Sequence, residues 1–409
     1  MYPSQPQRPR FKWHYAIGGV LLLFGLLTAS QLQDKYFKLS KNLEIFAGIL
    51  KELDTYYVDE IAPDEMVKTG IDAMLRSLDP YTTFIPAEDS DKLATLITGD
   101  YGGIGAIFGL RKDKITALML YQDRPAHKGG LRVGDVITQV NGEEVGKDSF
   151  ADTISRLKGQ PSTQVQVTVE RLGLQDPLQL TLTREKITLK NVPYFGKVQE
   201  DIGYICLINF TTHAADEVRA ALESLKVEGV QKIILDLRGN PGGLLDEAIQ
   251  MVNLFIEQGL TVVKTKSKID AWAKTYTTEQ APYDKSLPIA ILVDQQSASA
   301  SEVVAGVLQD YDRAVLIGSN TYGKGLVQTI RPLSYNTQLK LTTSEYYIPS
   351  DRSLQKVDYR RQRQQASAAP AKDTPSTTFT TRAGRKVYGG NGIAPDIETT
   401  AFSQAPITT

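Results

Sequence analysis

The sequence predicts an α/β protein with an inserted β-rich unit and an N-terminal helical segment, and three patterns carry that expectation. From about 187 to 348, short apolar runs (Gly203–Ile208, Lys232–Leu237, Ile289–Val293, Ala314–Ile317) alternate with helix-like stretches (Ala214–Lys226, Leu244–Ile256, Ser299–Asp310), which is the mark of α/β layers. Runs such as Ile233-Ile234-Leu235 read as strands covered on both faces. From about 100 to 186, Val165, Val167 and Val169, then Leu178, Leu180 and Leu182, alternate with a strand period, and Asn141-Gly142 is a hairpin signal. Earlier, Leu43, Phe46, Leu50, Leu53 and Tyr57 recur at spacings of three and four, one face of an amphipathic helix.

In chain order, Arg8, Arg10, Lys12 and His14 precede an uncharged apolar run from Tyr15 to Ala29. A positive flank before such a run reads as an export signal. The run is short for a bilayer span, which needs about 17–25 residues. Residues 1–35 therefore read either as a cleaved signal peptide, with Thr28-Ala29-Ser30 near the cut, or as an uncleaved anchor with its positive flank inside. Either reading places the bulk of the chain in the periplasm or cell envelope, held at the inner membrane by residues 15–29 in the second case. Residues 36–99 read as helical: Ser40 is a candidate cap, Pro63 a helix start, and Asp79-Pro80 a stop. The β-rich unit spans 100–186, with a helix over Phe150–Leu157, and the α/β unit spans 187–355. Residues 356–381, basic at Arg360-Arg361 and then Ala- and Pro-rich, read as a flexible insertion, and 382–409 as a segment returning to the core.

Composition narrows the chemistry. The 409 residues include 46 basic and 47 acidic side chains, so no global charge points to nucleic acid. The single Cys206 rules out an intramolecular disulfide and a cysteine-based zinc site. Of three histidines, His14 lies in the export segment, His127 in the β-rich unit, and only His213 in the α/β unit, which suits a histidine triad poorly. No GxSxG elbow, HExxH zinc motif or P-loop is present.

Three stretches at strand ends are candidates for chemistry. Asp236-Leu237-Arg238-Gly239-Asn240-Pro241-Gly242-Gly243 leaves a strand and enters a helix, so its glycines can turn backbone N–H groups toward an oxyanion; the plain alternative is a tight turn. In Ser297-Ala298-Ser299-Ala300-Ser301-Glu302 a serine can act as nucleophile, or the serines can cap a helix with Glu302 completing a capping box. Lys324, in Gly323-Lys324-Gly325-Leu326-Val327-Gln328, can act as a base if desolvation keeps it neutral; otherwise it is a loop lysine.

Together these stretches resemble the carboxyl-terminal processing proteases, peptidase family S41. The resemblance runs from about Leu39 to Ile397 and takes in Leu78-Asp79-Pro80-Tyr81, Tyr346-Tyr347-Ile348-Pro349-Ser350 and Gly392-Ile393-Ala394-Pro395-Asp396. Gly102-Gly103-Ile104-Gly105, Leu131–Ile137 and Val140-Asn141-Gly142 look like a PDZ domain. The resemblance implies a crotonase/ClpP-like core with that PDZ domain inserted ahead of it. It implies Ser299 as nucleophile, Lys324 as general base, Gln328 orienting the lysine, and an oxyanion hole from Ala300 with Gly242 or Gly243. It implies Gly102, Gly103, Ile104 and Gly105 as the peptide-binding loop, and no metal or cofactor. The expected activity is an exported serine endopeptidase cutting envelope proteins near apolar C-termini, with a homo-oligomer left open. The competing readings are a silent scaffold that binds C-termini and an acyl-transfer enzyme such as a hydratase or thioesterase.

Overall fold

The alternation of strands and helices resolves, in a computed structural model describing residues 36–364 and 377–399, into two sheets that both contact one buried helix. The first sheet has six strands in the order Tyr194–Gln199, Ile202–Cys206, Lys232–Asp236, Ile289–Val293, Ala314–Gly318 and Ile397–Glu398. Its first pair is antiparallel and the rest are parallel. Helices Ala214–Val227, Leu245–Asn253 and Ala300–Asp310 make the connections between parallel strands. The register aligns Ile205, Leu235, Ile291 and Leu316 in one row, each 1% exposed or less. The adjacent row (Tyr204, Ile234, Ala290, Val315) keeps partial or full exposure, so burial on both faces holds for one face only. All residues of Ala300–Asp310 are buried, which makes this helix the hub of the core.

The second sheet was not visible as a pattern. It is antiparallel, in the order Thr83–Ile85, Gln338–Tyr347, Thr261–Ser267 and Thr275–Thr277, with Leu326–Pro332 also paired to Gln338–Tyr347. Its strands are rich in Thr, Lys and Ser and are mostly half-exposed, so they lack the apolar runs that mark the other sheet. Thr83–Ile85 also corrects the helical reading of 36–99, because it is a strand of this sheet.

The β-rich unit has the sheet order Ala106–Arg111, Lys114–Leu120, Val136–Val140, Gln164–Glu170 and Leu178–Thr183. Val165, Val167, Val169 and Leu182 point into its core with Ile115, Ala117, Ile137 and Val140. Asn141 (φ 54°) and Gly142 (φ 84°) both take the left-handed conformation that a two-residue primed turn needs. The helix Phe150–Leu157 lies where the sequence placed it. Strands Asp100–Gly103 and Glu185–Thr188 pair where the chain enters and leaves this unit.

The chain divides into two compact units between Met74 and Leu75. In the first, residues 36–56 are helical and include Ser40, which therefore sits inside the helix instead of capping it. The helix Pro63–Arg76 does start on its proline. In the second unit, part of the stretch read as a flexible insertion is ordered: Tyr359–Gln364 is helical, and Thr378–Thr380 pairs with Lys386–Tyr388. Residues 365–376 and the apolar run 15–29 lie outside the described residues. Among the described residues no helix is long and apolar enough to cross a membrane.

Candidate active site

Ser299 sits between the strand Ile289–Val293 and the helix Ala300–Asp310, at the helix N-cap. Its backbone, at φ 55° and ψ −112°, is a conformation an L-residue adopts only under constraint. Neighbouring serines supply that constraint. Ser297 Oγ donates to the Leu237 carbonyl (2.8 Å) and Ser301 Oγ to the Asn240 carbonyl (3.0 Å), tying the serine run to the strand-end turn of the next strand. The Ser299 hydroxyl lies beside the Tyr346 phenol. Burial pushes the Tyr346 phenol up to about 12, so it stays protonated.

Gly242 closes on this serine, while Gly243 packs against Phe210. A Cβ on Gly242 would lie 2.5 Å from the Ala298 carbonyl oxygen, 2.8 Å from the Ala300 nitrogen and 2.9 Å from Ser299 Cβ. The Gly242 N–H is already spent on Asn240 Oδ1 (2.9 Å). By contrast, the N–H groups of Gly243 and Ala300 donate to no acceptor among the described residues. Ala300 is the first residue of its helix, so its N–H is one of the donors that a helix leaves free at its positive end.

Lys324 comes from the loop before the strand Leu326–Pro332. Its pKa is lowered to about 8, chiefly by burial and next by Lys340, while Glu302 and Asp79 oppose the shift. Its Nζ lies 4.8 Å from the centroid of the Tyr81 ring. No hydrogen bond joins Nζ to Ser299 Oγ or to Gln328 in this structure. Gln328 Nε2 donates to the Leu326 carbonyl (3.2 Å) and to Thr342 Oγ1 (3.3 Å), while its Oε1 accepts no hydrogen bond among the described residues.

What ties the serine to the lysine is Glu302, which is fully buried. Its Oε2 accepts the backbone N–H of Ser299 (2.8 Å) and of Lys324 (2.9 Å). Its Oε1 accepts the Gly323 N–H (2.7 Å) and Thr321 Oγ1 (2.6 Å). Burial pushes this carboxyl up, and the four donors pull it back. The motif reading saw Glu302 as half of a capping box, and the Ser299 bond is that cap. Its second task, holding the lysine loop, is a contact across 22 residues that no local pattern encodes. Tyr346 and Tyr81 were likewise quoted as motif residues without a role.

The other expected residues fall elsewhere. His213 is exposed at a helix start, with Nδ1 3.1 Å from Asp216, and His127 Nδ1 accepts the Asp123 N–H. In the β-rich unit, Gly102 and Gly103 pair with Lys186 and Glu185, and a Cβ on Gly102 would lie 2.0 Å from the Gly159 carbonyl oxygen. These two glycines are thus taken up by packing. The N–H groups of Ile104 and Gly105 donate to no acceptor among the described residues. Both precede Ala106–Arg111, which is an edge strand of its sheet.

A strained serine at the N-terminus of a buried helix, with open backbone donors nearby and a desolvated lysine on a loop held by the same carboxylate, can in chemical terms support nucleophilic hydrolysis without histidine. The sequence profile of peptidase family S41 matches residues 201–360, and that of the PDZ domain matches 121–171. A carboxy-terminal-processing protease of Bartonella bacilliformis is 33% identical over 353 residues, 84% of this chain and 80% of that protein. A probable CtpA-like serine protease of Staphylococcus aureus is 36% identical over 309 residues, 75% of this chain and 62% of that protein. Among solved structures, the photosystem II D1 C-terminal processing protease aligns over 87% of this chain and 92% of its own at 24% identity, with a TM-score of 0.45. The chain belongs to peptidase family S41, as a serine protease of the carboxy-terminal-processing type with a PDZ domain.

Proposed function

We propose that the protein is an exported endopeptidase with a Ser299–Lys324 dyad that cuts envelope proteins near apolar C-termini. The observation that carries the dyad is the Glu302 carboxylate, which holds the backbone of both residues on one oxygen. Neutral Lys324 takes the Ser299 hydroxyl proton as Oγ attacks the scissile carbonyl. The free N–H groups of Ala300 and Gly243 receive the oxyanion, and the positive end of the Ala300–Asp310 helix adds to that field. Between the two glycines, Gly243 is the donor, because the N–H of Gly242 is occupied. Lys324 then returns the proton to the leaving amine, and water releases the acyl group. Gln328 Oε1, open on its acceptor side, orients the lysine head. For that step Lys324 swings from the Tyr81 ring toward the serine.

The PDZ domain captures the substrate's C-terminus by strand addition to Ala106–Arg111, with the terminal carboxylate on the N–H groups of Ile104 and Gly105. The apolar run 15–29 behind a basic flank directs the chain out of the cytoplasm. The test is Ser299→Ala and Lys324→Ala, assayed by mass spectrometry on a protein substrate with an apolar C-terminus. Each variant is expected to lose at least ~1,000-fold in kcat/KM. Cleavage that survives either change overturns the dyad.

A further inference from the structure

Resting on the Ser299–Lys324 reading, we propose that Asp79 and Thr342 are positioning residues that set the Gln328 amide for Lys324. Asp79 is buried, 8% exposed, in the turn before the strand Thr83–Ile85. Its Oδ1 accepts the N–H of Tyr81 (2.9 Å), the N–H of Thr82 (2.8 Å) and Thr342 Oγ1 (3.2 Å), and its Oδ2 accepts Thr82 Oγ1 (3.0 Å). A carboxylate only accepts, so the Thr342 hydroxyl must spend its one proton on Asp79. Toward Gln328 the same hydroxyl can then only accept, which turns the Gln328 NH2 group to it at 3.3 Å. The Leu326 carbonyl, also a pure acceptor, asks for the same orientation. Gln328 Oε1 is thereby left as the face that can accept a hydrogen bond from the lysine head group. The direction of the whole chain, Asp79 to Thr342 to Gln328, follows from the charge at its buried end.

Asp79 reaches Lys324 by a second route. The turn it closes carries Tyr81, whose ring lies beside Nζ. The charged groups that act on Lys324 are Lys340, Glu302 and Asp79 itself, so the Asp79 charge holds part of the proton affinity of the base.

The test uses the full-length enzyme with Thr342→Val, Thr342→Ser, Asp79→Asn and Gln328→Ala, each also placed in pairs. Thr342→Val keeps the side-chain shape and removes the relay. It is expected to lower kcat about tenfold with KM within about twofold and with the acid limb of the pH profile unmoved. Thr342→Ser restores kcat to within about threefold, because the hydroxyl is back. Asp79→Asn lowers kcat and also moves the acid limb to lower pH, since losing a nearby negative charge disfavours the protonated lysine. In the Gln328→Ala background, Thr342→Val costs less than about twofold, because the group it positions is gone. The proposal is overturned if Thr342→Val keeps the wild-type kcat, or if its loss multiplies unchanged with that of Gln328→Ala. Thermal melts on each variant separate a folding loss, which lowers the melting point and leaves the kcat of the folded fraction and the pH limb in place. Cleavage surviving in Ser299→Ala or Lys324→Ala would defeat the parent dyad reading, and that outcome is read independently of the Thr342 series.

Discussion

Glu302 is the residue whose replacement discriminates most sharply. It offers two oxygens and each accepts two donors, so a glutamine must give up one pair. If its NH2 group replaces Oε2, the N–H groups of Ser299 and Lys324 both face a donor. If it replaces Oε1, only the Gly323 N–H is orphaned, because the Thr321 hydroxyl can redirect its proton while still accepting the Ile393 N–H at 2.7 Å. The second orientation leaves fewer donors unmet, so Glu302→Gln takes it and keeps the hold on serine and lysine. The expected stability loss is about 2–4 kcal/mol, one buried amide left unpaired plus the charge assistance of the remaining bonds. Glu302→Ala releases all four donors and, with them, the Ser299 and Lys324 loops of the proposed dyad. Urea unfolding measures the stability change, and kcat/KM with its pH profile measures the site. Glu302→Gln is expected within about tenfold of wild type, and Glu302→Ala at least 100-fold down. Both variants move the acid limb to lower pH, since a negative charge near Lys324 is removed. A folded Glu302→Ala enzyme with kcat/KM within about threefold of wild type would refute the reasoning.

Other consequences follow from the same geometry. With the Lys324 pKa near 8, kcat/KM climbs about tenfold per pH unit below pH 8 and levels above it, and a limb at the ordinary lysine value would remove Lys324 as the base. The depressed pKa also costs stability: the folded state binds the proton less well than the unfolded chain, so the penalty is full below about 8 and is relieved as pH rises toward 10.5. Lys324→Met therefore raises stability at pH 7 by roughly 1–3 kcal/mol in urea unfolding while abolishing cleavage. Gly242→Ala places a Cβ 2.5 Å from the Ala298 carbonyl oxygen at φ 91°, and activity is expected to fall ~100-fold or more in the peptidase assay. Gly105→Ala, at φ 73° and with its Cβ 2.5 Å from Arg124 Cβ, weakens capture of an apolar C-terminal peptide about tenfold or more by fluorescence anisotropy.

What could be read in advance followed physical periodicity. The six-stranded sheet was largely legible because its parallel strands are apolar runs separated by amphipathic helices, and Ile289–Val293 falls at the expected bounds; in the β-rich unit so does the helix Phe150–Leu157. The five-stranded sheet was not, because strands such as Thr261–Ser267 carry Lys264 and Lys266 among threonines and are stabilised by cross-strand pairing that sequence does not display. At the proposed site, motif spacing singled out Ser299, Lys324, Gln328 and the glycine pair as candidates. It could not show that the Gly242 N–H is taken by Asn240 Oδ1, a contact made by a side chain folding back on its own turn. Nor could it give Asp79 a task, because Asp79 meets Thr342 across 263 residues.

On the proposed dyad, the site meets a conflict built into any lysine base. A buried lysine finds its charge stabilised by any carboxylate nearby, and an ion pair would lift its pKa and keep it protonated at neutral pH. Yet holding two loops in a buried site requires strong acceptors, and a carboxylate is the strongest available. Glu302 meets both demands because four neutral donors fill its lone pairs, which leaves no place for the Lys324 ammonium. Asp79 likewise accepts four neutral donors, three on Oδ1 and one on Oδ2. Both carboxylates act on Lys324 through space only, and burial wins, leaving the pKa near 8. At pH 7 that gives about one neutral lysine in ten, against about one in 3,000 at 10.5, a gain of roughly 300-fold in active base. If Lys324 is the base, the scarcity of histidine is matched by an arrangement in which Glu302 holds its loop without neutralising the effect of its burial.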